Sequence, residues 1–123
     1  MAMTMRVLKV FDLVGEFAID DLAGEKVFAM LHPELLAGHS VELDFEGVRV
    51  VAPPFLSVAL GKLFQDISAT NIDRFFTATN LSQLDRTGLE LVVESSKRYF
   101  TDPVYRAAVG TANAKVAAGE YDR

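Results

Sequence analysis

The sequence predicts an α/β domain, and three observations lead to that expectation. The chain has 123 residues, half of them apolar, which is enough for one hydrophobic core without disulfides or a structural metal. Its apolar period switches several times between that of a strand and that of a helix, the alternation typical of α/β layers. No internal repeat or low-complexity block interrupts this order. We therefore expect a single domain.

The first third of the chain predicts a strand followed by a helix. Residues Arg6–Phe11 are rich in β-branched and aromatic side chains, which favour a strand. A helix is expected from about residue 20, where Asp20 or Asp21 can cap it. Apolar side chains then recur at helical spacing on one face: Val27, Phe28, Leu31 and Leu35. We expect Pro33 to kink or restart this helix before Gly38 ends it.

The middle of the chain contains the clearest strand. From Ser40 to Phe45 apolar and polar side chains alternate, as they do in a half-buried strand. A second apolar run over Val48–Val51 stops at two prolines, and we expect a helix to begin beside Pro54. The buried stripe of that helix is predicted to contain Leu56, Ala59, Leu60, Leu63, Phe64 and Ile67.

The last third predicts a strand over Ile72–Thr79 and a helix capped within residues 80–82. Asp102-Pro103 is expected to break that helix. The following segment is rich in alanine, which suits an extra helix, a docking arm or a frayed tail. We therefore divide the chain into a domain of residues 1–103 and a C-terminal helical extension or tail of residues 104–123.

Composition excludes several classes of function. The formal charge is −5 and lysine and arginine are not clustered, which argues against a nucleic-acid binder. There is no cysteine, so disulfides, thiolate chemistry and thiolate metal sites are excluded. The sequence shows neither a signal-peptide pattern nor an apolar run of about 20 residues, the length that spans a bilayer. We expect a cytoplasmic protein without membrane segments.

Candidate chemical groups are few. His32 and His39 are seven residues apart with no third histidine or cysteine, so we expect surface histidines and no metal site. Asp44 and Glu46 have the spacing of a carboxylate pair, but Asp44 stands where an aspartate stabilises a turn or caps a helix. The glycines form no nucleotide-binding signature, and we expect no cofactor. Because no nucleophile, base and orienting group stand together, the chain is not expected to be an enzyme.

A family resemblance appears at residues 41–63, VELDFEGVRVVAPPFLSVALGKL. This block resembles the central strand, turn and helix of STAS-like domains. The resemblance extends upstream through VFDLVGEFAIDDLAGEKVFAML and downstream through NLSQLDRTGLELVVESSKRYF, so that it covers roughly residues 5–100. The chain is most similar to small bacterial STAS-like proteins of unknown function, and more distantly to anti-sigma-factor antagonists. The resemblance implies a mixed β-sheet with helices mainly on one face.

The resemblance also implies a binding function. In STAS antagonists a serine at the start of the helix after the central strand is phosphorylated by a histidine-kinase-type ATPase, which releases the partner. Here Ala52, Pro53 and Pro54 occupy the matching positions, and none has a hydroxyl. Ser57 is the nearest acceptor, and we expected it in the first turn of the helix, where a phosphate is electrostatically tolerated.

The predicted functional surface is the face from Pro53 to Lys62. Phe55 has two alternatives: an exposed aromatic anchor beside rigid prolines, or a side chain packed inward. The favoured hypothesis is a non-catalytic regulatory module that binds another protein, such as a histidine-kinase-type ATPase, through an acidic surface. The alternative is a structural subunit that forms a homodimer through its C-terminal segment. The predicted partner-binding residues are Pro53, Pro54, Phe55, Ser57, Val58 and Lys62.

Overall fold

The computed structural model describes residues 5–109, which form five strands and a larger helical part. The strands are β1 (Met5–Lys9), β2 (Phe17–Ala18), β3 (Ser40–Asp44), β4 (Val50–Val51) and β5 (Phe76–Thr79). The helices are α1 (Val10–Val14), α2 (Asp21–Leu36), α3 (Pro53–Ala59), a 3-10 helix (Gly61–Gln65), α4 (Ala69–Phe75) and α5 (Gln83–Thr101). Residues 103–109 are also helical. The α/β class is therefore confirmed.

The strands form two separate parallel sheets. The larger sheet has the order β1-β3-β5, and its register aligns Leu8 with Leu43 and Leu43 with Ala78. The smaller sheet pairs β2 with β4. The single mixed sheet that the resemblance implied is thus wrong for residues 5–109, where every strand pair is parallel. Helices between successive strands allow this arrangement, because parallel neighbours need a long crossover connection.

Helices cover one face of the larger sheet. Residues paired across parallel strands point to the same side, so Leu8, Leu43 and Ala78 share the inner face and pack in the core. On the opposite face, the aligned Val7 and Thr77 are exposed. The helices therefore lie mainly on one face, as the resemblance implied.

The long helix α2 begins and ends as its sequence predicts. Asp20 is its N-cap, and the side chain accepts a hydrogen bond from the backbone N–H of Ala23 at 2.9 Å. Gly38, with φ of 83°, follows its end. The expected restart at Pro33 is wrong, since the helix continues through it. Pro33 stands in the last turn, so its missing N–H removes a single bond, to the carbonyl of the exposed Ala29, which water can solvate.

The predicted helix after Pro54 is divided into two parts. Its α-helical part, α3, begins at Pro53 and ends at Ala59, and a 3-10 helix continues from Gly61. A Cβ atom at Gly61 would lie 2.7 Å from the hydroxyl of Ser96 in α5, so a side chain at this position would force the Ser96 hydroxyl to turn away. The predicted buried stripe is confirmed, because all six residues are in the core: Leu56, Ala59, Leu60, Leu63, Phe64 and Ile67.

The strand expected over Ile72–Thr79 is half correct. The hydroxyl of Ser68 accepts a hydrogen bond from the Asn71 backbone N–H at 3.2 Å and caps α4, which takes up residues as far as Phe75. Only Phe76–Thr79 is strand. Similarly, the strand expected over Arg6–Phe11 stops at Lys9, and α1 follows. Both errors come from apolar runs in which short helices and strands have the same composition.

The C-terminal break is confirmed. Helix α5 is capped by Ser82 and ends at Thr101. The carboxylate of Asp102 then accepts a hydrogen bond from the Val104 backbone N–H at 3.0 Å and starts the helix of residues 103–109. That helix returns to α5, where the Arg98 guanidinium lies 4.2 Å from the centre of the Tyr105 ring. The division at residue 103 stays a prediction, and residues 110–123 of the predicted extension lie outside the described residues.

Candidate functional site

The smaller sheet brings the starts of two helices together. Phe17 pairs with Val50, and the backbone N–H of Ala52 donates to the carbonyl of Ala18 at 2.9 Å. Because α2 follows β2 and α3 follows β4, the parallel pairing places both helix N-termini at one end of this sheet. Gly24 in α2 then permits close contact, since a Cβ atom there would lie 2.8 Å from the Phe55 carbonyl oxygen.

Exposed apolar side chains lie on the smaller sheet and at the starts of the two helices that follow it. Phe17 and Val50 are paired neighbours and both are exposed. Ile19 follows β2, and Leu22, with 63% of its surface exposed, lies in the first turn of α2. We call this surface the β2–β4 patch, and it consists of Phe17, Ile19, Leu22, Val50, Pro53 and Pro54. Grouped exposed apolar side chains of this kind are typical of a protein-binding surface.

Phe55 does not belong to this surface. Its side chain is fully buried and meets the ring of Phe45 edge to face, with ring centroids 6.4 Å apart. The alternative of an exposed Phe55 anchor is therefore wrong, and inward packing is confirmed. The reason is the helical phase of α3: Phe55 and Leu56 face the core, while Pro53 and Pro54 precede that face and stay exposed.

The remaining predicted partner-binding residues lie further along the chain from the prolines. Ser57 and Lys62 are exposed and line a groove of about 260 Å³ between α3, the 3-10 helix and α5, together with Ser96 and Tyr99. Val58 is half-buried, and its Cβ lies 2.8 Å from the Cβ position that Gly24 would have. Pro53 and Ser57 are four residues apart in α3 and are thus neighbours on one side of that helix, and the binding face from Pro53 to Lys62 stays a prediction.

Ser57 lies deeper in its helix than the sequence predicted. Because α3 begins at Pro53, Ser57 is its fifth residue and falls in the second turn. The favourable interaction of a phosphate with a helix N-terminus is confined to about the first turn. The electrostatic argument for phosphorylation of Ser57 is therefore lost, and the exposure of its hydroxyl is what remains.

The two histidines bind carboxylates on the surface. The Nε2 atom of His32 lies 2.9 Å from the Asp66 carboxylate, and its ring stacks on Phe28 with centroids 4.8 Å apart. The Nδ1 atom of His39 lies 2.8 Å from the Glu34 carboxylate. Within residues 5–109 no group of three or more histidine, aspartate or glutamate side chains is arranged to hold a metal ion. Within the described residues, the two histidines thus link parts of the fold through their carboxylate partners, His32 to Asp66 and His39 to Glu34.

Asp44 has the turn-stabilising role that its position predicted. One carboxylate oxygen accepts from the Asn80 side-chain amide at 2.7 Å and from the Glu46 backbone N–H at 2.9 Å. The bond from Asn80, that from Glu46 and the nearby charge of Lys9 hold the pKa of Asp44 below its ordinary value, against a smaller opposing effect of desolvation. Asp44 thereby joins the end of β3 to the end of β5, and it does not act with Glu46 as a carboxylate pair.

Of the β2–β4 patch, the sequence predicted only Pro53 and Pro54, and its other four members were missed. Strands β2 and β4 have only two residues each, too few to show a period of two. One signal was present, however. Leu22 stands five residues before Val27 and so falls off the buried stripe of α2, which continues through Leu31 and Leu35. A large apolar side chain outside the buried stripe marks a candidate contact residue.

Comparison with known proteins adds a family to this geometry. The model of a family described as a STAS-like domain of unknown function (DUF4325) matches residues 23–86, just over half of the chain. The match includes α2, α3 and the larger sheet's β3 and β5. Neither a curated protein nor a solved structure shows a significant similarity to the chain. None of the helices within residues 5–109 has the length and apolarity needed to cross a membrane.

Proposed function

This chain belongs to the STAS-like family, and on that premise we propose that it is a non-catalytic regulatory module that binds another protein through the β2–β4 patch. The observation that carries the proposal is the exposure of the paired Phe17 and Val50 on the smaller sheet, with a further exposed apolar residue, Leu22, in the first turn of the helix that follows β2. Apolar side chains grouped on a folded surface lower the free energy of the protein when a partner covers them. The partner class that the resemblance implies is a histidine-kinase-type ATPase.

The patch has the physical properties of a binding anchor. Pro53 and Pro54 are rigid and lose little conformational freedom when a partner docks. About half of the surface of Phe17 is exposed, so Phe17 can act as the aromatic anchor, whereas Phe55 is buried and cannot. The β2–β4 pairing and the close α2–α3 contact hold the backbone of Phe17 and of the two prolines in place. A preformed apolar surface of this kind favours slow dissociation.

Charges near the patch favour a basic rim on the partner. Asp20 and Asp21 lie at the start of α2, and Glu16 precedes β2. Arg49 is the nearby cation, and its guanidinium lies 3.9 Å from the Glu16 carboxylate. The chain as a whole has a formal charge of −5. We therefore propose a partner whose contact surface is apolar at its centre and carries lysine or arginine around it.

Control of this binding differs from that of the phosphorylated STAS antagonists. Ala52, Pro53 and Pro54 offer no hydroxyl at the helix start, so phosphate cannot be added there. In this proposal the nucleotide state of the partner governs the encounter, and the α3 start serves as a fixed contact. The finer features of the hypothesis, the partner class and its ATP dependence, are what the experiment must decide.

The test is a quantitative affinity capture from native cell lysate, with and without ATP, followed by titration of the purified partner. Three baits are compared: the wild-type chain, the double variant Leu22→Asp/Val50→Asp, and the double control Leu84→Asp/Leu91→Asp. Leu84 and Leu91 lie on α5 with 81% and 64% of their surfaces exposed, so the control adds the same two charges elsewhere. We expect wild type and control to recover one ATP-binding protein, and the patch variant to bind it at least about 30-fold more weakly. Undiminished binding by the patch variant would contradict the proposal.

A structural role is the second candidate, and the observation that favours it is the exposure of Val104 at the start of the C-terminal helix. In this alternative residues 104–123 pack against a second copy of the chain to form a homodimer. Sedimentation velocity on the full chain and on a chain ending at Pro103 distinguishes the two. Dissociation of a dimer on truncation supports the structural role, while hetero-binding that survives truncation supports the regulatory module.

A further inference from the structure

Within residues 5–109, strand β5 has an outer edge with which no other strand pairs. Its inner edge pairs with β3, and the carbonyl of Thr79 accepts from the Phe45 backbone N–H at 3.0 Å. Because alternate residues of a strand direct their backbone groups to opposite sides, those of Phe76 and Ala78 face away from β3. The Arg86 guanidinium confirms this direction, since it donates to the Ala78 carbonyl at 2.9 Å. An edge of this kind is a template for another strand.

Part of this edge is free to pair. The Phe76 N–H donates to the carbonyl of Ile72 at the end of α4, and Arg86 takes the Ala78 carbonyl. Two outward-facing backbone groups take no part in these contacts, the carbonyl of Phe76 and the N–H of Ala78. One donor and one acceptor, two residues apart on the same side, match the hydrogen-bonding pattern of an added strand.

A groove runs along the edge and gives room for such a strand. Helix α5 packs against α3 and the 3-10 helix, and this leaves a space of about 490 Å³ between α5 and β5. The volume is within the usual range for a binding site. The lining is apolar at its base, where Ile72, Phe76, Ala78, Leu89 and Val93 meet.

The rim of the groove is negatively charged. Asp73, Glu90 and Glu94 line it, and all three are exposed. None of them forms an ion pair within residues 5–109, where the ion pairs involve other carboxylates. Arg86 also lines the groove, but its guanidinium is engaged with the Ala78 carbonyl. The groove therefore favours a cationic occupant.

The spacing of these carboxylates suits an extended segment. Glu90 and Glu94 are four residues apart on α5, which places their side chains about 5–6 Å apart along one face. Side chains on one face of a strand recur every two residues, roughly 6.5 Å apart. Alternate residues of a strand in the groove can thus each reach one of these carboxylates.

We propose that this groove binds an extended segment of a partner polypeptide that pairs with the β5 edge and carries lysine or arginine at alternate positions. Backbone hydrogen bonds to Phe76 and Ala78 supply the pairing, and contacts with Glu90 and Glu94 select a basic sequence. The groove lies on different elements from the β2–β4 patch, so this inference does not rest on the proposed function. It gives the chain a second binding surface with its own specificity.

The experiment uses the full chain and a capped nine-residue peptide of alternating lysine and valine, labelled for fluorescence anisotropy. Two peptides serve as controls: one with glutamate in place of lysine, and one with the original side chains but N-methylated backbone amides at alternate residues. The protein variant is Glu90→Gln/Glu94→Gln. Its matched control is Glu25→Gln/Glu46→Gln, two exposed glutamates on α2 and after β3.

We expect saturable binding of the lysine peptide and none of the glutamate peptide. The Glu90→Gln/Glu94→Gln variant should bind the lysine peptide about three- to thirty-fold more weakly, as the loss of two exposed ion pairs implies, while the control variant binds as wild type does. The N-methylated peptide should bind only weakly because it cannot pair fully with the edge. Absence of binding by the lysine peptide, equal loss in both variants, or full binding by the methylated peptide would overturn the inference. Leu22→Asp/Val50→Asp should leave this binding unchanged, which separates it from the proposed function.

Discussion

The two parallel sheets of this domain differ in length, cover and composition. The larger sheet has three strands with a central β3 whose Val41 and Leu43 are completely buried under helices. The smaller sheet has two-residue strands, and its Phe17 and Val50 are exposed. The larger sheet holds the core together, whereas the smaller one adds little buried area and orients the starts of α2 and α3. The larger sheet thus contributes most to stability, and the binding surface that we propose lies on the smaller one.

Adjacent residues of α3 give the same contrast on a smaller scale. Pro54 is exposed on the β2–β4 patch, while Phe55 is buried against Phe45. Substitutions at the two positions should therefore differ sharply in their effect. The predictions below test this separation of core from surface, beginning with the largest expected change in stability.

The first prediction concerns Phe55→Ala. Removing a fully buried phenylalanine leaves a cavity, and we expect the free energy of unfolding to fall by about 3–5 kcal/mol. Phe17→Ala, which truncates an exposed ring of the same type, should lower it by less than about 1 kcal/mol. Urea denaturation followed by circular dichroism measures both. Equal losses in the two variants would mean that Phe17 on the smaller sheet contributes to the core as much as Phe55 in α3 does.

The second prediction concerns the close contact that joins the two helix starts. Gly24→Ala places a methyl group 2.8 Å from the Phe55 carbonyl oxygen and from the Cβ of Val58, so one of the helices must shift. We expect a loss of about 1–3 kcal/mol in the free energy of unfolding. Gly88→Ala in α5 is the matched control, because a Cβ there has no neighbour within 4 Å. That change should stabilise the protein by about 0.5–1 kcal/mol, and a similar gain at Gly24 would show that the α2–α3 contact is not tight.

The third prediction concerns the Asp44 link across the larger sheet. Since folding lowers the pKa of Asp44, its contribution to stability is present above the ordinary pKa of 3.8 and is lost as pH falls through the lower folded value. We expect Asn80→Gly, which removes the main donor and keeps a residue that tolerates the φ of 59°, to reduce the stability difference between pH 7 and pH 3. Urea midpoints at the two pH values measure it. An unchanged difference would assign acid sensitivity to other carboxylates.

Local signals predicted much of the fold correctly. The Asp20 and Ser82 caps, the terminating Gly38 and the break at Asp102-Pro103 were all confirmed, because each depends on hydrogen bonds or backbone angles within a few residues. The buried stripe from Leu56 to Ile67 was also confirmed, since helical periodicity holds through both α3 and the 3-10 helix. Short elements failed instead: α4 was taken as strand because its apolar residues span too few turns to show a period.

The candidate site was only partly predictable. Pro53 and Pro54 were expected at the surface and are exposed there, but Phe55 was left between two alternatives that only its packing against Phe45 resolved. Ser57 is one residue further into the helix than expected, because α3 begins at Pro53, directly after Ala52 pairs with β2. The groove beside β5 was not predicted, because it forms where α5 leaves part of β5 uncovered.

The sequence by itself determined the α/β class, the caps and breaks of its long helices, and the strand and helix around residues 41–63, because those features arise from local periodicity and backbone chemistry. Only the tertiary structure decided which apolar side chains outside the predicted helical stripes are buried. It placed Phe55 inside, brought Phe17 beside Val50, and left the edge of β5 open. These outcomes depend on contacts between residues that are distant in the chain. The hydrophobic effect is non-directional, so the local sequence does not specify which distant apolar residues come into contact.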